Sequence, residues 1–298
     1  MGTFVAVMGA EPPPGVRGSG PWGSWAALSW SDPTVLATDP EARAAETDRL
    51  LVLTPRAGTR RAQLAAATVA AVRPDLPVRV ESLPVSTSVL VRAVESVPAS
   101  TSGANETAAA ITHVATSAVW GAWMPSVAKL ERPAPTLGQH VRSWFARGAG
   151  FLAVHGDPGW VERLPLDGVD QSRRRPRSQV AGQATPYDAH MFGGLPEDAI
   201  AALFARGLTG RPFRREPLGD AAELWGSPKA VEFVIVPSVP EAYRSGHPLD
   251  GEDKGTCPVC AEPVWGPCCT YCRAAPAPRS REAVRTAPTS GPTPGGQG

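Results

Sequence analysis

Lysine is nearly missing from this sequence: among 29 basic residues, only Lys129, Lys229 and Lys254 are lysines. Alanine and proline are abundant beside the arginines, a pattern that fits the codon bias of a GC-rich bacterial genome, such as an actinobacterial one, better than selection for bidentate anion chemistry. An excess of either charge is lacking too, because 29 basic and 28 acidic residues leave a formal net charge of +1. Bulk attraction to nucleic acid or to an anionic membrane is thereby excluded, and any such contact must come from a local patch.

Long apolar runs are also missing. Nothing approaches the ~18 residues needed to span a bilayer, and residues 1–10 have neither the basic start nor the apolar length of a secretory leader. The expectation is a cytoplasmic protein without membrane contact. Cysteine is absent from the first 256 residues, all five falling between Cys257 and Cys272. A secreted disulfide scaffold would distribute them, so the cluster points to metal binding in a reducing compartment. The body can carry no thiol nucleophile, and it has no Gly-x-Ser-x-Gly elbow of a serine hydrolase.

What is present is the composition of a globular chain, 42% hydrophobic and 19% charged over 298 residues, enough for one large domain or two modest ones. Residues 3–8 read as a short strand, and prolines 12–14 with the following glycines impose a loop that carries Trp22, Trp25 and Trp30. Such a loop could stack bases or grip a partner, or its tryptophans pin it to the core. Residues 50–53 form an apolar β run, 54–59 a turn, and 60–72 an alanine-rich helix stopped at Arg73-Pro74-Asp75. A strand restarts at 78–80, and Ser86 or Ser88 is the candidate N-cap of a helix over 89–97. Strand, helix, strand, helix at this spacing is a βαβ unit, which predicts a parallel sheet with right-handed crossovers. The β-branched stretch 111–119, a helix over 136–146 and a strand over 150–154 are expected to continue it, followed by a basic loop at 172–178, a helix over 196–206 and a strand over 231–236.

The fold class predicted is therefore α/β: a Rossmann-like parallel-sheet body with a small C-terminal zinc ribbon and a disordered tail. The corresponding boundaries are an N-terminal strand and Trp/Gly/Pro-rich loop over 1–44, the Rossmann-like domain over 45–160, a smaller α/β extension over 161–245, linker and ribbon over 246–274, and the tail over 275–298. The tail has too few apolar anchors to offset the entropy of ordering.

The most specific signal is Cys257-Pro-Val-Cys260 followed by Cys269-Thr-Tyr-Cys272. Each Cys-x-x-Cys turn lets two thiolates face one metal, and two turns complete a tetrahedron. The stretch resembles the short zinc ribbons of many bacterial proteins, with Cys268 where an aromatic residue often stands and Ala261 in place of the usual glycine after the first knuckle. Cys257, Cys260, Cys269 and Cys272 are the expected ligands; whether Cys268 competes with Cys269 is left open, as is an iron–sulfur alternative. A zinc held by four cysteines has no open position for water, so the site is read as structural. Trp265 and Tyr271 with Arg273, Arg279, Arg281 and Arg285 offer aromatic faces and positive charge nearby, which suits a protein partner and, alternatively, nucleic acid.

In an open parallel sheet, ligands bind beyond the carboxyl ends of the strands, at 54–59, 83–88 and 155–157 here. Gly58 permits close backbone approach, Thr59 is a candidate cap of the next helix, and Arg56, Arg60 and Arg61 would surround an anion at that helix start, although the turn is neither a Walker loop nor a dinucleotide fingerprint. Alternatively it is an ordinary turn with surface arginines. His155 with Asp157, and Asp188 with His190, have the form of a base and its orienting acid. The run 49–146, through LLVLTPRAGTRRAQ, PVRVESLP and APTLGQHV, resembles the chelatases that insert cobalt or nickel into tetrapyrroles. The resemblance implies a metal-handling histidine just after the first strand and a second near Trp123. Thr54-Pro55-Arg56-Ala57 occupies the first place and no histidine occupies the second, which implies a relative without the catalytic activity. The function expected is a non-enzymatic binding or adaptor protein that contacts a protein partner through the ribbon, its body holding an anionic ligand. A nucleotide-sensing or enzymatic α/β domain is the alternative from another class.

Overall fold

The computed structural model describes residues 2–9, 16–20, 23–29, 32, 34–40, 47–97, 103–145, 150–156, 159–164, 187–192, 194–205, 208, 211–215, 221–237, 255–261, 264, 268–269 and 271–277. Strands β1 (Gly2–Gly9), β2 (Arg17–Gly20), β3 (Gly23–Ser29), β4 (Thr47–Pro55) and β5 (Val78–Leu83) alternate with helices α1 (Val35–Thr38) and α2 (Thr59–Val72). Helices α3 (Thr87–Glu95) and α4 (Ala104–Ser117) follow, then β6 (Val119–Met124), α5 (Leu137–Phe145), β7 (Phe151–Val154), β8 (Trp160–Arg163), β9 (Tyr187–Phe192), α6 (Glu197–Ala205), β10 (Arg211–Arg215), α7 (Ala221–Trp225) and β11 (Val231–Pro237).

The fold is mixed α/β with a parallel sheet, as the βαβ periodicity implies. That first sheet has the order β2-β3-β1-β4-β5, parallel from β3 to β5, with β2 antiparallel at its edge. Expectation and structure part after α3. The stretch 111–119 is not a strand: α4 runs to Ser117, because Ala104, Thr107, Ala108, Ile111, Val114 and Ala115 repeat at helical spacing and bury one face. The sequence after it does not extend the parallel sheet. It builds a second sheet, β10-β9-β11-β6-β7-β8, in which only β9 and β10 are parallel among the strand pairs described. β6 and β7 thus share a sheet with β9, β10 and β11 from beyond residue 160.

Alternation along the strands sorts the core into layers. Phe4, Ala6, Met8, Leu50 and Val52 face α1 and α2, while Val5, Val7, Leu51 and Leu53 face α3 and α4. From the other side, Trp120, Ala122, Met124, Phe151, Ala153, Val234 and Val236 face the same two helices. Leu152, Val154, Phe233 and Ile235 point outward to α6. The order is therefore α1–α2, first sheet, α3–α4, second sheet, α6. Helix α3, buried on all sides from Thr87 to Val94, is the centre of the molecule. Ser86 caps it, its hydroxyl accepting from the Val89 N–H at 3.4 Å. Gly9 ends β1 so close to Thr87 that a Cβ there would lie 2.6 Å from the threonine methyl, so a larger residue would have to displace the Thr87 side chain at the start of α3. Among the described residues no helix is long and apolar enough to cross a membrane.

Candidate metal centre and the polar core

The Sγ atoms of Cys257, Cys260, Cys269 and Cys272 all lie within 4.8 Å of one another, and Cys268 is outside the group. A tetrahedron with metal–sulfur distances of ~2.3 Å has edges of about 3.8 Å, and Cys260 and Cys269 are 3.7 Å apart. The four thiols thus fit a metal ion. Local geometry explains why Cys269 and not Cys268 takes part. The two knuckles repeat one conformation: the Ala261 N–H bonds to the Cys257 carbonyl at 2.9 Å, the Arg273 N–H to the Cys269 carbonyl at 3.0 Å. Ala261 (φ 59°) and Arg273 (φ 58°) both sit in the left-handed region, the reason glycine usually stands there. In this register Cys269 corresponds to Cys257, both buried, and Cys272 to Cys260, both half-buried.

The cluster is not suspended from the body. Asn105, buried in the first turn of α4, places Nδ2 3.5 Å and Oδ1 3.6 Å from Cys269 Sγ. Arg49, near the start of β4, lies over the Tyr271 ring at 5.6 Å. Thr256 bridges Ala277, closing the ends of the segment; the expected tail beyond Ala277, residues 238–254 with the start of the expected linker, and Trp265 lie outside the described residues. Burial alone would raise the Cys269 pKa. The Cys272 N–H, 3.5 Å from its sulfur, and the Asn105 amide prevail and bring it to about 7. Cys272 goes the other way, to about 12, through burial and the neighbouring thiols, Cys260 first.

The other predicted residues fall elsewhere. Arg56 opens a single 3-10 turn, Arg56–Gly58, at the far end of β4 from Arg49. About six strand residues at ~3.3 Å each separate the two, roughly 20 Å. Arg56 and Arg60 are exposed and Gly58 is buried. Thr59 does not cap α2: Gly58 is the N-cap, and the Thr59 hydroxyl bonds to the Arg56 carbonyl at 2.8 Å and pairs with Ser82 Oγ at 2.7 Å. Helix α2 therefore begins without a side-chain cap, with no acidic residue and two arginines in its first turn.

His155, after β7, lies flat on Trp120 with ring centroids 4.0 Å apart and meets the edge of Trp225 at 5.6 Å. Burial, aided by the charge of Arg132, lowers its pKa. Asp157 is outside the described residues. His190 faces inward and sits 3.3 Å from an Arg92 guanidinium nitrogen, and Arg92 also pairs with Glu95.

One constellation escaped the sequence reading. Glu232 on β11, 1% exposed, accepts from Ser88 Oγ at 2.5 Å with one oxygen and from Trp225 Nε1 at 2.9 Å with the other. A buried carboxylate satisfied in this way ties α3, α7 and the second sheet together. Its only sequence trace is a glutamate inside an otherwise apolar strand. Conversely, Gly18-x-Gly20-x-x-Gly23 matches a dinucleotide fingerprint in letters only, since it crosses the antiparallel β2–β3 hairpin and no helix follows.

No protein-family model matches this chain, and no curated protein does. Solved structures do. A fatty-acid-binding DegV family protein from Thermus thermophilus aligns with TM-score 0.48 and 15% identity, over 80% of this chain and 100% of that one. A fatty-acid-binding DegV protein from Streptococcus agalactiae aligns with TM-score 0.46 and 12% identity over 80% and 99%, and the dihydroxyacetone kinase of C. freundii with 0.45 and 14% over 83% and 50%. At these TM-scores and identities the likeness says nothing of ligand or activity, and it lends no support to the chelatase resemblance.

Proposed function

We propose that this is a non-enzymatic binding protein whose C-terminal zinc ribbon, held against the α/β body, contacts a protein partner. The observation that carries the reading is the first knuckle: between two ligands that face inward, Val259 is 71% exposed. An aliphatic side chain held at the tip of a metal-rigidified turn has little conformational entropy left to lose on docking, which favours association. Zinc is the metal proposed, since an all-cysteine tetrahedral set is its usual structural site. Four thiolate ligands leave no place for a substrate or an activated water, which supports a structural role. A second apolar exposure lies on α5, where Leu137, Val141 and Trp144 follow at i, i+4 and i+7, with Leu137 80% and Trp144 72% exposed.

The test is native mass spectrometry of the gently purified full-length protein. A stoichiometric protein adduct retained by wild type, lost in Val259→Asp and kept in Trp144→Ser supports contact through the ribbon. Loss in Trp144→Ser alone moves the contact to α5. A nucleic-acid adduct, or association that weakens steeply as salt rises, contradicts the protein-partner reading.

A second reading, favoured by the uncapped start of α2, is an anionic ligand held by Arg56 and Arg60 with the first-turn amides. Arginines at the positive end of a helix oppose its dipole unless an anion is present. Calorimetric titration with inorganic phosphate, ADP and a long-chain fatty acid tests it; binding that disappears in Arg60→Ala supports the site, and no binding of any of the three rejects it.

A further inference from the structure

We infer that Asn105 is an outer-shell partner of the metal centre, and that through it metal occupancy is coupled to the order of α4 and the middle layer of the body. The inference rests on the reading above that the four thiols hold a metal.

Asn105 is buried, and its side-chain amide faces a ligand sulfur with both ends, Nδ2 at 3.5 Å and Oδ1 at 3.6 Å. An amide can donate N–H to a thiolate or accept S–H from a thiol, but not both through the same contact. A metal-bound Cys269 is a thiolate, so metallation selects the N–H···S arrangement. Four thiolates on a divalent ion leave a net charge of about −2, which makes that hydrogen bond charge-assisted. The Cys272 N–H, 3.5 Å from the same sulfur, adds to it. These contacts fall on one ligand, Cys269.

The other end of the link is the body. Asn105 belongs to the first turn of α4, which opens at Gly103 without a side-chain cap. The same helix buries Ala108, Ile111, Val114 and Ala115 in the layer shared with α3 and both sheets. A sulfur anchored at that turn fixes the start of the helix. Releasing the metal frees Cys269 from the other three sulfurs, so the Asn105 amide loses a sulfur held at a fixed position. The first intrahelical bond of this turn, from the Thr107 N–H to the Gly103 carbonyl at 2.8 Å, is then where opening begins. Arg49 over Tyr271 joins the same segment to β4, so the ribbon touches two elements of the first half of the chain.

The experiment is hydrogen exchange of the full-length protein with zinc and after chelation, followed by mass spectrometry over residues 105–111. Zinc is expected to slow exchange there about tenfold or more. In Asn105→Ala that difference should shrink, and zinc affinity measured against a chromophoric chelator should fall about 10–100-fold. Asn105→Asp should fall further, because it sets a second negative charge beside the thiolates. The cobalt-substituted protein provides a readout that packing alone would not move: the sulfur-to-cobalt charge-transfer band of Asn105→Ala should shift from wild type. Zinc binding that leaves α4 exchange unchanged in wild type overturns the coupling while sparing the metal site, and so does undiminished zinc affinity in Asn105→Ala. A wild-type protein that takes up no zinc overturns both.

Discussion

Replacing Glu232 with alanine removes the shared acceptor of two buried donors, the Ser88 hydroxyl at 2.5 Å and the Trp225 indole N–H at 2.9 Å. Each donor left without a partner costs about 1–3 kcal/mol, so Glu232→Ala should lose roughly 2–6 kcal/mol before any term for the cavity. Glu232→Gln keeps one acceptor oxygen and should lose less, about 1–3 kcal/mol for the one donor left facing an amide NH2. Ser88→Ala should lose a similar amount in wild type and almost nothing in the Glu232→Ala background, where its hydroxyl has no carboxylate to meet. The double-mutant cycle is thus predicted to be strongly non-additive. Equilibrium urea unfolding followed by tryptophan fluorescence measures it, through a lower midpoint at unchanged slope. A loss below about 1 kcal/mol in Glu232→Ala, a fraction of one donor's penalty, would refute the reasoning, as would additive single effects. Either result would mean that Glu232 is not what ties α3 to the second sheet.

Three further outcomes follow from the packing and the knuckles. Gly121→Ala should destabilise the second sheet by about 1–3 kcal/mol, read as a lower urea midpoint, because its Cβ would lie 2.2 Å from the Ala153 carbonyl oxygen and 2.6 Å from the Phe233 ring. Ala261→Gly should stabilise the zinc-loaded protein by roughly 0.5–1 kcal/mol, since the left-handed residue costs ~1–2 kcal/mol and added chain entropy takes part of that back; a thermal midpoint below wild type would contradict it. His155, whose pKa is lowered in the folded state by burial and by Arg132, binds its proton more readily when unfolded. Its contribution is fully present above the unfolded pKa of about 6.5 and is lost as pH falls through the lower folded value. His155→Phe should flatten the acid side of the stability profile, and an unchanged profile would count against the buried stack.

The first βαβ unit was legible because its signals are local: residues 50–53, 60–72 and 78–80 carry their own periods and a stop at Arg73-Pro74. The second sheet was not, because β6 pairs with β11 across more than a hundred residues and antiparallel partners leave no mark in either segment. Ile111, Thr112, Val114 and Thr116 made α4 look like a strand by composition, whereas burial at helical spacing decides the element. In the cysteine cluster, the Cys-x-x-Cys spacing already picks out Cys257, Cys260, Cys269 and Cys272, and what the structure adds is the reason Cys268 stands outside, the shared backbone conformation of the two knuckles. Asn105 and Cys269 are 164 positions apart, a contact that no motif contains. Thr59 was a reasonable cap by residue type, yet Ser82 and the Arg56 carbonyl take its hydroxyl.

The most direct test of the central claim is the metal content of the full-length protein, counted by native mass spectrometry under reducing conditions. One zinc per chain, retained in Cys268→Ser and lost in Cys269→Ser/Cys272→Ser, is the predicted result. A chain without metal, or one whose zinc is lost in Cys268→Ser and kept in Cys269→Ser/Cys272→Ser, would contradict it.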